Sequence, residues 1–75
     1  MKITVVASSW AKRYVPNGSA EIELLAGAVV QDILAPLGIP PEEVGMFAIH
    51  GAAVPGGTPL VDGNCVRIFP VIMGG

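Results

Sequence analysis

Apolar and polar positions alternate over Lys2-Ile3-Thr4-Val5-Val6-Ala7, a β-branched run that predicts a strand with Ile3 and Val5 inward. Ala20-Glu21-Ile22-Glu23-Leu24 alternates in the same way and predicts a second, half-buried strand. Between them, Ser8 to Ser19 carries turn chemistry at Pro16-Asn17-Gly18, so the two strands are expected as an antiparallel hairpin with a long loop. The period then changes. Val30, Ile33, Leu34 and Leu37 fall at i, i+3, i+4 and i+7, one stripe of a helix, with Gly38 as its ending residue and Ile39 against its last turn. Val29 offers no side-chain oxygen as an N-cap, and Pro36 removes a hydrogen bond and crowds the preceding turn. This predicts a short helix whose final turn is distorted or 3₁₀-like. Pro40-Pro41 bars continuation. Met46 to His50 is the third strand, with Phe47 and Ile49 inward; Ala52-Ala53-Val54 is a short edge strand; Val61-Asp62-Gly63-Asn64 is a turn. Cys65 to Phe69 is the last strand, with Val66 and Ile68 inward, and Pro70 ends it.

The expected fold class is α+β, a mixed sheet of four to five strands with one main helix on one face. The first and last strands, the most β-branched and apolar, belong side by side at the sheet centre. With no repeat, low-complexity tract or linker, the chain reads as one domain over residues 1–69 with a flexible tail over residues 70–75.

Composition narrows the function classes. A 75-residue chain buries only about 60–65% of its unfolded surface, and a 52% hydrophobic content serves that small core. A net charge of −2, with Lys2, Lys12, Arg13 and Arg67 scattered, gives no nucleic-acid footprint. The single Cys rules out an intrachain disulfide, and a cytoplasmic setting is the default. There is no signal-peptide pattern and no run approaching the ~20 apolar residues of a membrane span.

Most reactive side chains have a structural reading. Cys65 is expected to be a small buried hydrophobe, because free cysteine usually is. His50, beside Gly51 and without a Cys/His set, is expected in a turn or at the surface, and no metal site is expected. Glu42-Glu43 reads as a solvated pair after the helix, and Lys12-Arg13 as an exposed loop. Trp10 and Tyr14 are expected to pack under the long connection. Gly56-Gly57-Thr58 lacks the length and the lysine of a P-loop, so no nucleotide site is expected in the chain itself.

Two features point outward. If Val66 and Ile68 face in, Phe69 faces out, and Arg67, Met46 and Ala48 share that outer sheet face. An aromatic, a Met and an Arg together make an interface-like patch for a partner. The second feature is the ending, Pro70-Val71-Ile72-Met73-Gly74-Gly75. Six residues extend at most ~20–22 Å. Val71, Ile72 and Met73 can line an apolar channel, and Gly74 and Gly75, without Cβ atoms, can enter a constriction. A terminal carboxylate on Gly75 is ionised at neutral pH.

Three segments carry a resemblance. They are Gly27-Ala28-Val29-Val30-Gln31-Asp32-Ile33-Leu34 with Leu37-Gly38-Ile39-Pro40, then Thr58-Pro59-Leu60-Val61-Asp62-Gly63-Asn64, and then Val66 through Gly75. Together they resemble the sulfur-carrier family of the ubiquitin-like β-grasp fold, which contains the molybdopterin synthase small subunit and the thiamine-pathway sulfur carrier. The match spans nearly the whole chain and is weakest over Ser8 to Ser19. Asn64, Val29 and Val71 depart from the family's common aspartate, threonine and second proline. The resemblance implies a carrier that is not itself an enzyme. Its Gly75 carboxylate would be adenylated by a ubiquitin-activating-like adenylyltransferase using ATP, then converted by a sulfur donor to a thiocarboxylate. The sulfur would pass to a molybdopterin synthase large subunit or a thiazole synthase, with no cofactor bound by the carrier. The long Ser8–Ser19 connection leans toward the molybdopterin type. Two alternatives are a ubiquitin-like modifier joined through Gly75 to lysines, and a binding module whose tail is never activated.

Overall fold

A computed structural model of the chain describes residues 1–71. Five strands form one mixed sheet: β1 (Lys2–Ala7), β2 (Ser19–Glu23), β3 (Val44–Ile49), β4 (Ala52–Val54) and β5 (Cys65–Pro70). Their order across the sheet is β2-β1-β5-β3-β4. The β1–β2 pair is antiparallel, with Ile3 opposite Ile22 and Val5 opposite Ala20. β1 and β5 run parallel at the centre, with Val5 opposite Val66. The 61–64 turn sets that pairing. Lys2 N–H donates to Asp62 Oδ1 at 2.7 Å, Gly63 N–H to Lys2 O at 2.8 Å, and Thr4 N–H to Asn64 O at 3.0 Å. Asn64 closes the turn through Oδ1, which accepts from Val61 N–H at 2.8 Å.

One face of the sheet is covered. Ile3, Val5, Val66 and Ile68 from the central strands pack with Val30, Ile33, Leu34 and Ile39, all buried. Phe47 and Ile49 point to the same side and are half-buried against that core. Trp10 and Tyr14 pack under the connection, where Ser9–Ala11 forms a 3₁₀ turn. On β1 and β5 the buried positions are the inward set that the alternation predicts, because a pleated strand places alternate side chains on opposite faces.

The helix reverses the expected order of its turns. Val30–Ile33 is the 3₁₀ part and Leu34–Leu37, α1, is the regular α turn. Pro36 sits within the first turn of α1, where N–H groups lack intrahelical α partners anyway, so it costs little there. The distortion lies upstream, where a neighbouring loop satisfies the first N–H groups. Val30 N–H donates to Thr58 O and Gln31 N–H to Gly56 O, both at 2.9 Å. Asp32 compensates for the poor cap at Val29 by accepting from Val29 N–H through Oδ2 at 2.8 Å. Gly38, at φ 71°, ends α1, and Ile39 N–H returns to Leu34 O at 3.0 Å.

Strand β3 begins two residues earlier than expected, at Val44, and ends at Ile49. His50 and Gly51, at φ 53° and 78°, form a two-residue turn into β4, with Ile49 opposite Ala52. Positive φ at both central residues marks a type I′ hairpin. Pro70 belongs to β5 and pairs with Val44, and Val71 N–H donates to Glu43 O at 3.1 Å. Of the expected 70–75 tail, Pro70 thus lies in the sheet and Val71 is hydrogen-bonded to Glu43 just before β3. Ile72, Met73, Gly74 and Gly75 lie outside the described residues.

Candidate functional site

The sheet face opposite the core is open. From β5 it presents Cys65, Arg67 and Phe69, whose neighbours Val66 and Ile68 are buried on the other side. In the β3–β5 register, Met46 lies opposite Phe69 and Ala48 opposite Arg67. Phe69, Arg67, Met46 and Ala48 therefore come together on one face, as their parity predicts. Ala48 is only 8% exposed and forms a floor, whereas Met46, at 41%, stands at the rim. His50, Gly51 and Ala53 complete the wall on the β4 side, enclosing a groove of about 280 Å³.

Cys65 lines this groove and is exposed. The expectation of a buried thiol fails because Cys65 has the parity of Arg67 and Phe69, and no described helix covers their face. His50 is exposed in its turn, as expected. Alternation alone could have placed Cys65, but His50 and Ala53 reach the groove only through the hairpin that folds β4 beside β3.

The groove is mainly apolar, carries Arg67 as its cation and has no carboxylate among the described residues that line it. Arg67 makes no ion pair among the described residues. A partner surface offering an apolar projection beside a carboxylate would complement it. Glu42 and Glu43 are exposed away from this lining; Tyr14 OH donates to Glu43 Oε2 at 3.1 Å. Lys12 and Arg13 are exposed in the long connection.

The groove continues to the end of β5. Met46 and Phe69 also line a second, shallower hollow of about 600 Å³, with Val44, Gly45, Pro70 and Val71. The patch and the root of the tail are one surface. A third hollow, about 460 Å³, lies on the helix side between Leu34, Ala35, Ile39 and Phe47. It exists because the helical segment is too short to cover the β3 end of the sheet, and no residue pattern announced it.

Among the described residues no three His, Cys, Asp or Glu side chains gather as a metal site. No described helix is long and apolar enough to cross a membrane.

The architecture has close structural counterparts. SAMP1 from Haloferax volcanii superimposes with a TM-score of 0.76 at 17% identity, over 100% of both chains. A Pyrococcus furiosus protein described as molybdopterin converting factor, subunit 1, gives 0.78 at 24% identity, over 96% of this chain and 99% of that one. A ubiquitin-like protein from Caldiarchaeum subterraneum gives 0.56 at 21% identity, over 99% of this chain and all of the other. At these identities the likeness establishes the ubiquitin-like β-grasp fold. No curated protein matches the chain. The ThiS family model, however, matches residues 9–75, nearly the full length and including the Gly74-Gly75 ending. The chain therefore belongs to the ThiS family of β-grasp sulfur carriers.

Proposed function

We propose that the chain carries sulfur as a thiocarboxylate on Gly75, with the open sheet face as the dock for the enzymes that load and unload it. The observation that carries this reading is the continuity of the face with the tail root: Met46 and Phe69 belong to both hollows. A partner seated on Phe69, Arg67, Met46 and Ala48 receives the chain end at a fixed place on its own surface. Val71, Ile72 and Met73 then serve as the apolar lead-in to Gly74 and Gly75.

The chemistry needs an activating enzyme. A free carboxylate is a poor acylating agent. In the proposed cycle a carboxylate oxygen of Gly75 attacks the α-phosphorus of ATP, and the bond to pyrophosphate breaks. Sulfide delivered by a donor then attacks the carbonyl carbon, the C–S bond forming as the bond to AMP breaks. The products are the thiocarboxylate and AMP. ATP belongs to the ubiquitin-activating-like partner, since Gly56-Gly57-Thr58 serves here as backbone acceptors and turn for the helix start. The receiving route is the molybdopterin type, supported by the long connection between β1 and β2 with its own 3₁₀ turn, and a thiazole synthase is the next receiver.

The test is reconstitution with the activating enzyme and α-labelled ATP. The full chain should form an acyl-adenylate, and a chain lacking Gly75 should form none. Label transfer to the truncated chain would contradict the assignment to Gly75. If supplying target proteins instead yields trypsin-resistant branches of Ile68 to Gly75 on their lysines, the chain is a modifier.

A further inference from the structure

Gly45 is an exposed β3 residue with an ordinary φ, so no backbone demand requires glycine there. The demand comes from the tail root. A Cβ built on Gly45 would lie 2.5 Å from Pro70 O, 2.9 Å from Pro70 C and 3.0 Å from Val71 Cα. All three are backbone atoms, which cannot rotate aside. Gly45 is also the extra residue of a bulge. Between Val44 opposite Pro70 and Met46 opposite Phe69, β3 advances two residues while β5 advances one. A bulge bends its strand and increases the local twist. Immediately beyond, Val71 N–H donates to Glu43 O at 3.1 Å. The backbone of residues 70 and 71 is thus seated against bare backbone at Gly45 on one side and hydrogen-bonded to Glu43 on the other.

We propose that Gly45 is a positioning residue for the Gly75 chemistry: it lets the chain lie in a clamp on β3 as far as Val71, so the reach and direction of the tail are set from Val71. This rests on the carrier reading above. Four residues remain beyond the clamp, a span of at most about 13–14 Å rather than the ~20–22 Å counted from Pro70. A partner docked on Phe69 then meets the terminal carboxylate at a defined distance. Side chains at position 45 displace Pro70 and Val71 and lose that registration.

The experiment compares wild type, Gly45→Ala, and a chain with one glycine inserted between Val71 and Ile72, which leaves the clamp and the domain untouched. Two readouts are taken: amide exchange at Val71 and steady-state adenylation by the ubiquitin-activating-like enzyme. For Gly45→Ala the expected result is Val71 exchange at least about tenfold faster, with Val5 and Val66 unchanged. In adenylation, kcat should fall at least about tenfold with KM within about twofold, because the docking face is kept. The inserted chain should show the same kcat loss with normal Val71 exchange. Unchanged kcat in the inserted chain overturns the proposal, and decides it alone if Gly45→Ala does not fold. Unchanged Val71 exchange in a folded Gly45→Ala chain also overturns it. A wild-type chain that is never adenylated refutes the carrier reading and with it the role of Gly45, while Val71 exchange still decides whether the clamp exists.

Discussion

His50 holds φ at 53°, a left-handed conformation that costs a residue with a Cβ about 1–2 kcal/mol and glycine far less. Replacing His50 by Gly should therefore raise stability by about 1 kcal/mol in chemical denaturation, despite the added unfolded-chain entropy. A drop in stability would mean that the imidazole makes a contact worth more than the strain. Trp10 offers a second residue-level test. Its Nε1–H is buried and has no acceptor among the described residues, at a cost of about 1–3 kcal/mol. Trp10→Phe keeps most of the ring and removes the donor, so it should be neutral or stabilising in the same assay. Loss of more than about 1 kcal/mol would contradict the orphaned donor and point to packing that only the indole fills. Cys65 shows where residue-type frequency misleads. Cysteine is usually buried, but parity with Arg67 and Phe69 decided its place, and parity was already legible in the sequence.

Strand parity and turn chemistry translate directly into elements, because each depends on neighbours along the chain. The β1 and β4 boundaries, the start of β5 and the inward residues Val66 and Ile68 follow from that local information, whereas the end of β5 at Pro70 rests on its pairing with Val44. The helix was legible only in part. Its stripe is local, but the partners of its first N–H groups, the Thr58 and Gly56 carbonyls, arrive from a distant loop. The same limit hid Gly45 and the seating of Pro70 and Val71, since nothing near residue 45 in sequence reports residue 70. Two outcomes belong to this scale. Asp32→Ala removes the acceptor for Val29 N–H and should cost about 0.5–2 kcal/mol, read as a lower denaturation midpoint at constant slope. Phe69→Asp places a carboxylate at the centre of the open face, half-buried beside Met46. It should weaken binding of the activating enzyme at least about tenfold while far-UV circular dichroism stays native. Undiminished affinity in a folded Phe69→Asp chain would remove the patch from the docking role.

The two faces of the sheet are built differently. Core residues from β1, β5 and the helical segment occupy one side and hold the domain together, while the other side is kept uncovered. Because the parallel β1–β5 pair lies at the sheet centre, the chain leaves from the most strongly braced strand. Membership of the ThiS family and the continuity of the open face with the tail root support the role proposed for Gly75. Deleting Gly75 should leave the denaturation midpoint unchanged and abolish sulfur transfer. The most direct test is accurate intact and fragment-ion mass spectrometry of the chain purified from its native host without reductive or alkylating treatment, which separates sulfur at the chain end from oxygen added at Met or Cys. A gain of about 16 Da confined to Gly75, oxygen replaced by sulfur, is the expected result. A population carrying only the unmodified carboxylate, even when activating enzyme, ATP and sulfide are then supplied, would contradict the account.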